Sequence, residues 1–547
     1  MTMPVAAADW DDRGVAARAD DPDLIRILRL PRSTPASTEQ ILQLTRQLTR
    51  PGCGVEVRPK QAEALIALRD AGGTVAVMPT GEGKTLVTLL APTLLAAERP
   101  VLMLPANCRD KTRDEFAQYL ADGWTVRLPT LLSYETLSHP KHERDLVELA
   151  PDLLMLDEAD LARNVDGTGF GRRIRRALRD ASPRPRVAVL SATLLTDDLL
   201  DYWELVLWAL QDQAPVPTTR AVAERWASAL AHDVPDGLFR TEPGALELIP
   251  GGFAAHLRGT RGVVCGRGEQ CPAEITITPW VPPIPPNVRG WIEWCQDTGQ
   301  RPDGEPMTEW ELPDLLCTLS LGFFQIWDPL PPTWWLQPRR AYLAYERAVI
   351  EAQIDGIDTP AQVRAGLTLR DHVQPPEADI GRTLLAAWSA VSDRFEPNPV
   401  PVWLSGDVLD AIAAKARPGL IVWVKHVGPG VELARRGLPY YGADTSPQHH
   451  RPLGAPIVCS IKAHGRGKNL QHGWHDMLIT HPMAKARGWE QLISRVHRPG
   501  LVAPHVGVEV ITGIEYHGQV LERVYAEAER ISADAGFPHK LTIAKWI

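Results

Sequence analysis

Short runs of small apolar residues recur between positions 55 and 214, separated by stretches whose apolar positions return every three or four residues. That alternation predicts a parallel α/β sheet. It places strands at 74–78, 101–105, 126–128, 153–156 and 187–190. Ahead of them, two short helices are expected at 23–30 and 37–48, with Asp23 and Ser37 as caps. From 215 to about 338 the periodicity weakens and Trp and Pro accumulate (Trp280, Trp291, Trp294, Trp310, Trp327, Trp334, Trp335). Helical patterns follow at 339–354 and 383–395. The strand pattern then returns at 420–424, 457–461, 477–480 and 507–512, with a helix at 520–532. The expected organisation is an N-terminal extension (1–52), an α/β unit (53–214), an accessory insert with a helical linker (215–398) and a second α/β unit (399–547).

The 547 residues suffice for three or four domains of ~100–200 residues. A composition of 44% hydrophobic and 23% charged residues is that of an ordinary soluble globular protein. No apolar run approaches the ~18–20 residues of a membrane span, and acidic residues stand near the N-terminus where a signal peptide needs basic ones. Seven cysteines without regular pairing suit reduced thiols, so a cytoplasmic location is expected. The spacing of Cys265, Cys271, Cys295 and Cys317 fits no common zinc pattern. A net charge of −9 argues against coating the whole surface with nucleic acid, but not against a local basic cleft.

The chemistry concentrates at two places. After the first strand comes Met78-Pro79-Thr80-Gly81-Glu82-Gly83-Lys84-Thr85. Two glycines let the chain turn tightly, so that successive N–H groups can face a phosphate, and the helix that follows turns its N-terminus to the same anion. Lys84 supplies a point charge for the β- and γ-phosphates of ATP, and the Thr85 hydroxyl suits Mg²⁺. Met78 stands where the usual pattern has Gly or Ala. The second place is Leu156-Asp157-Glu158-Ala159-Asp160, at the end of an apolar strand. Open parallel sheets hold their ligands there. Asp157 would hold Mg²⁺ through water, and Glu158 would polarise an attacking water. Upstream, Arg58 and Gln61 stand where a Gln amide suits the edge of adenine. The Gly171–Arg179 stretch reads equally as a phosphate-touching helix or a solvated basic face.

Further motifs follow in order: Leu104-Pro105-Ala106-Asn107, then Leu131 to Leu137 with Ser133 and Tyr134, then Ser191-Ala192-Thr193. Ser460 to Gln471 and Glu490 to Gly500 come last. This order resembles the superfamily 2 helicases and translocases (DEAD/DEAH-type ATPases), and most closely their Swi/Snf-like branch. Arg163-Asn164 after the acidic motif, Gly465-x-Gly467-x-Asn469-Leu470 and Gln491…Arg495…Arg498-Pro499-Gly500 carry the resemblance, although Leu501 replaces the usual Gln. The resemblance implies two RecA-like domains closing on ATP and Mg²⁺, with the Trp/Pro-rich, partly helical insert between them. It implies that Gln491, Arg495 and Arg498 complete the catalytic site from the second domain, with Gly467 and Asn469 near the nucleotide. Ser191 and Thr193 would couple hydrolysis to movement. Nucleic acid would meet Asn107, Arg109, Ser133, Tyr134, Lys462, His464 and Lys468. DNA is the expected partner and RNA ranks behind it. A replication, repair or defence protein is a further expected partner, and a membrane is not. Coding rich in arginine suits a phage or mobile element.

Overall fold

A computed structural model describes residues 22–163, 165, 169–194, 199–230, 252–266, 271–304, 311–351, 360–368 and 374–547. Asn164 and Trp310 lie outside the described residues.

Six strands form the first sheet: β1 (Gly73–Val77), β2 (Pro100–Leu104), β3 (Thr130–Ser133), β4 (Leu153–Asp157), β5 (Arg186–Ser191) and β6 (Val263–Cys265). They lie in the order β3-β2-β4-β5-β1-β6, all parallel. Alternate residues of one strand feed opposite cores. Val75, Val101, Leu154 and Val187 pack on one face, while Ala76, Leu102, Met155 and Ala188 pack on the other. Burial on both faces explains why these strands read as continuous apolar runs rather than as alternating ones.

The remaining strands are β7 (Glu274–Trp280), β8 (Phe323–Trp327), β9 (Pro399–Trp403), β10 (Leu420–Val424), β11 (Tyr440–Tyr441), β12 (Ile457–Ser460), β13 (Asp476–Ile479), β14 (His505–Ile511) and β15 (Lys545–Trp546). Seven of them form a second parallel sheet, in the order β11-β12-β10-β13-β14-β7-β15; β8 and β9 pair antiparallel by themselves. The chain is therefore α/β, with two large parallel sheets.

Several expectations need correction. The strand expected at 126–128 is absent, and β3 lies at Thr130–Ser133 instead. The 125–127 backbone is drawn elsewhere: Thr125 N–H donates to Leu48 and Arg127 N–H to Leu89, each a residue of a helix. Asp23 lies inside the helix Pro22–Leu28 rather than capping it. Ser37 does cap Thr38–Leu48, reciprocally with Gln40. The boundaries at 214 and 399 do not mark packed units. β6 belongs to the first sheet and β7 to the second, so the Trp-rich segment is shared between both. Its Pro residues do not keep it out of a sheet, since Pro279 sits in β7 opposite Val510. Among the described residues of the insert, the excursion between β8 and β9 forms a separate cluster. Its helices Thr333–Glu351, Pro360–Thr368 and Ala378–Ser389 pack Tyr342, Val349, Val363 and Leu385 together. Beside them buried Trp335 contacts half-buried Trp327, Trp388 and Phe395, so these four aromatics pack on one another.

The two sheets' units touch directly. Ala535 and Phe537, from the C-terminal part of the chain, enter the first unit's core. Arg258 donates to the Ala533 carbonyl at 2.8 Å. Among the described residues no helix is long and apolar enough to cross a membrane.

Candidate active site

The C-terminal ends of three adjacent strands, β4, β5 and β1, carry Asp157, Ser191 and the loop leading to Lys84. β1 stops at Val77, and the chain turns through Gly81 (φ 100°) and Gly83 (φ 84°) into the helix Lys84–Leu94. An L side chain is strained at such φ values. At Gly83 a Cβ would also lie 2.2 Å from Gln61 Nε2. Gln61 is thus the loop's inner support: its Nε2 donates to the Glu82 carbonyl at 3.0 Å, and its Oε1 accepts from Arg58 N–H at 3.1 Å. Arg58 Nη1 reaches the Gly81 carbonyl at 3.4 Å. An adenine contact by Gln61 requires exchanging one of these bonds. Pro79 is buried, while Thr80 and Thr85 are half-buried at the loop's two ends.

Lys84 is buried and donates to the Met78 carbonyl at 2.8 Å. Burial lowers its pKa, against the pull of Glu158, Asp157 and Glu82. The acidic pair is partly open to the cleft. Burial, with Glu158 next to it, pushes the Asp157 carboxyl up to about 6. Burial would also raise Glu158, but Lys84, Arg495, Arg466 and Arg487 together hold it below the ordinary value. Glu158 has left-handed backbone (φ 49°, ψ 45°), and its N–H donates to Asp157 Oδ1 at 3.0 Å. That conformation costs about 1–3 kcal/mol in a non-glycine residue, and such strain clusters at functional sites.

The second unit supplies the opposite wall. Pro499 packs on the loop, since a Cβ at Gly81 would lie 3.1 Å from Pro499 Cδ. Asn107 Nδ2 donates to the Ala463 carbonyl at 3.4 Å. Gly467 comes so close to Cys108 that a Cβ there would lie 2.7 Å from Cys108 Sγ. Arg495 donates from Nε to the Gln491 carbonyl at 2.7 Å and from Nη1 to the Lys468 carbonyl at 3.2 Å. Arg498 hydrogen-bonds Asn469 Oδ1 and feels Glu115 and Tyr119, both from the first unit's helix Arg109–Ala121. Burial brings Arg495 and Arg487 down to about 10, with Glu158 opposing, and lowers Arg466 and Arg498 too. The cleft therefore holds an excess of desolvated positive charge beside one acidic pair.

Sequence reasoning missed two of these arginines. Arg487 makes a buried ion pair with Asp160 across the two units. The Asp160 carboxylate also accepts from Ser191 Oγ at 2.8 Å, and Ser191 Oγ in turn accepts from Thr193 N–H at 3.1 Å. A signal was present: Arg487, Gln491 and Arg495 recur every four residues, one face of a helix. Arg466 is the variable residue of the Gly465-x-Gly467 turn, which pattern matching passes over. Among the described residues, the buried polar atoms in this cleft without a hydrogen-bond partner include Glu158 Oε2, Thr193 Oγ1, Arg487 Nε and Gln491 Nε2. Buried polar atoms in that condition are uncommon and point to a polar ligand.

The residues expected at a nucleic acid divide in two. Ser133 is buried and caps the next helix through Thr136 N–H at 3.0 Å. Tyr134 is buried, with its hydroxyl donating to the Asp157 carbonyl at 2.9 Å. His464 is buried against the Gly442 carbonyl at 2.8 Å. Tyr134 braces the acidic strand end rather than facing outward. Asn107 and Lys462 are exposed and Lys468 is half-buried, while half-buried Arg109 donates from Nη2 to Thr136 Oγ1 at 3.1 Å. The basic helix Gly169–Asp180 is largely committed to partners, with Arg175 on Glu204, Arg176 on Glu143 and Arg179 on Asp180.

No protein-family model and no curated protein matches the chain.

Proposed function

We propose that the chain is an ATP-driven DNA translocase or helicase with two RecA-like units, of the superfamily 2 type. One observation carries the reading: Arg487 of one unit pairs with Asp160, two residues from Glu158 of the other, and Pro499 packs on the glycine loop that ends in Lys84, so that Glu158 feels Arg495, Arg466 and Arg487 together. A transferring phosphoryl group spreads charge over its oxygens, and a desolvated fork of donors stabilises it. The donor set fits the proposed ligands. Thr85 and Asp157 would hold Mg²⁺, which neutralises charge on the β- and γ-oxygens. Lys84 would exchange the Met78 carbonyl for phosphate. Glu158, kept ionised by the surrounding cations, would orient and polarise the attacking water. Arg495 and Arg498 would meet the developing charge as arginine fingers.

Because these groups belong to different units, ATP binding would draw the units together and hydrolysis would release them. The chain Thr193–Ser191–Asp160–Arg487 links the strand end beside the nucleotide to the opposite unit. It is a physical route from chemistry to domain movement, and therefore to stepping. Nucleic acid would lie along Asn107, Arg109, Lys462 and Lys468 as backbone contacts that position without reading sequence.

The test is ATPase activity measured in parallel with single-stranded DNA, duplex DNA and RNA. DNA should stimulate turnover, and the stimulation should fall steeply with salt. Stimulation by RNA alone overturns the substrate, and absence of ATP hydrolysis under all conditions overturns the reading.

A further inference from the structure

A second cluster of titratable groups lies in the other unit. β10 and β13 are parallel neighbours. Just beyond their C-terminal ends stand His426 and His481. The helix Leu312–Ser320 is anchored by Leu315, Leu316 and Leu319 in the core beneath, and presents Asp314 from its first turn. Three elements thus deliver one ligand atom each to one point. Asp314 Oδ1 lies 3.4 Å from His426 Nε2 and 3.4 Å from His481 Nε2, and the three donor atoms all fall within 4.8 Å of one another.

Those separations have a meaning. Around a tetrahedral ion with ligands at about 2.0–2.2 Å, neighbouring donor atoms are about 3.3–3.6 Å apart. Hydrogen-bonded pairs would sit closer, at about 2.7–3.2 Å. His481 is nine-tenths buried. Buried His426 Nε2 and His481 Nδ1 have no hydrogen-bond partner. On its far side, His426 Nδ1 lies 3.4 Å from the Gln325 amide, which with its oxygen turned inward would accept the Nδ1 proton and fix the tautomer.

We propose that Asp314, His426 and His481 bind one divalent transition-metal ion of the Zn²⁺ class, with a fourth coordination position open to the adjoining cavity. That cavity, of about 1080 Å³, is also lined by Trp403, Lys462, Met483 and Tyr516. Three protein ligands and one open position is the arrangement of a site that admits water or a ligand, rather than of a closed structural site. A cation already stands among the donors. The Lys425 ammonium contacts Asp314 Oδ1 and lies 3.3 Å from His481 Nε2. Its side chain is 46% exposed, so it can swing into the cavity as an ion enters. Lys425 is therefore the ion's competitor, and removing it should tighten binding.

The test uses the full chain without a histidine tag, stripped with EDTA and kept reduced, and titrated with Co²⁺ and then Zn²⁺. The Asp157→Asn variant serves as background, because Asp157 is a candidate Mg²⁺ ligand. One equivalent of Co²⁺ should bind with the visible absorption of a tetrahedral site, in wild type and in Asp157→Asn, and Zn²⁺ should displace it. His426→Gln and His481→Gln should abolish that absorption. Lys425→Met should bind on the order of tenfold more tightly, since no ammonium has to leave. Thermal melts check folding; should buried His481→Gln unfold, the less buried His426→Gln decides. Failure of both wild type and Lys425→Met to bind Co²⁺ overturns the proposal, as does undiminished tetrahedral absorption in His426→Gln.

Discussion

Glu158 is where backbone, charge and proposed chemistry meet in one residue. Its left-handed backbone turns the chain at the end of β4, and four cations keep its carboxylate ionised. Glu158→Gln keeps the shape and removes the charge. It should leave ATP binding intact and lower kcat by about 10²–10⁴-fold, the range of general-base catalysis. Wild-type turnover in this variant, measured with saturating DNA, would show that another group activates water. Arg498 makes a second test. Its guanidinium is oriented by Asn469, and Pro499 beside it touches the glycine loop. Arg498→Ala should cost on the order of 10³ in kcat with a much smaller change in ATP affinity. Equal losses in both would assign Arg498 to ground-state binding instead.

Residue-level titration also predicts a pH dependence. Burial brings His497 and His517 down to about 4, and His481 to about 3. Each binds a proton in the unfolded chain below about 6.5 but not in the folded one. Their stability contribution is therefore fully present above about 6.5 and is lost as pH falls toward 4. Asp157, raised to about 6, acts oppositely: it adds stability at low pH that is lost as pH rises from its unfolded value. Three histidines outweigh one carboxyl, so the melting temperature should fall between pH 7 and pH 5. A melting temperature that rises over that interval would place these imidazoles at the surface.

Among elements, one link between units is the buried Asp160–Arg487 pair, continued by Ser191 and Thr193. Breaking one partner of a buried pair leaves an uncompensated charge and costs about 3–5 kcal/mol. Asp160→Asn and Arg487→Met should each depress DNA-stimulated kcat, and the double variant should be no worse than the poorer single. Effects that multiply independently would mean that the two residues act separately. β3 shows how neighbours override local pattern. The stretch 126–128 looked like a strand, but Val126 packs with neighbouring Trp124 into the core between the sheet and its helices, and the Thr125 and Arg127 N–H groups donate to helix residues. Thr130–Ser133 pairs with β2 instead.

For the whole molecule, sheet membership changes which deletion is informative. Removing 215–338 would take β6 out of one sheet and β7 out of the other, and would unfold both units. The helical cluster between β8 and β9 is the separable part, because the two strands already pair as a hairpin. Replacing 330–397 with a short turn should preserve a cooperative melt and ATP binding while altering the response to DNA. An unchanged DNA response from the folded deletion would give the cluster another role, and loss of ATP binding would tie it to the cleft.

The sequence by itself determined what depends on neighbours along the chain. Apolar runs fixed β1, β2, β4, β5, β10, β12 and β13 because those strands are buried along nearly their whole length. Gly81, Gly83, Lys84 and Asp157-Glu158 were legible because a tight turn and a strand end are short-range features. Which side chains meet across the cleft was decided only in three dimensions. Arg466 and Arg487 come roughly 300 residues after the acidic pair they face, and only closure of the units shows that they reach it. The same holds for Tyr134 and His464, which looked like outward polar groups until packing buried them, and for Asp314, His426 and His481. Those three share no local spacing, and they converge because two neighbouring strands end beside the first turn of one helix.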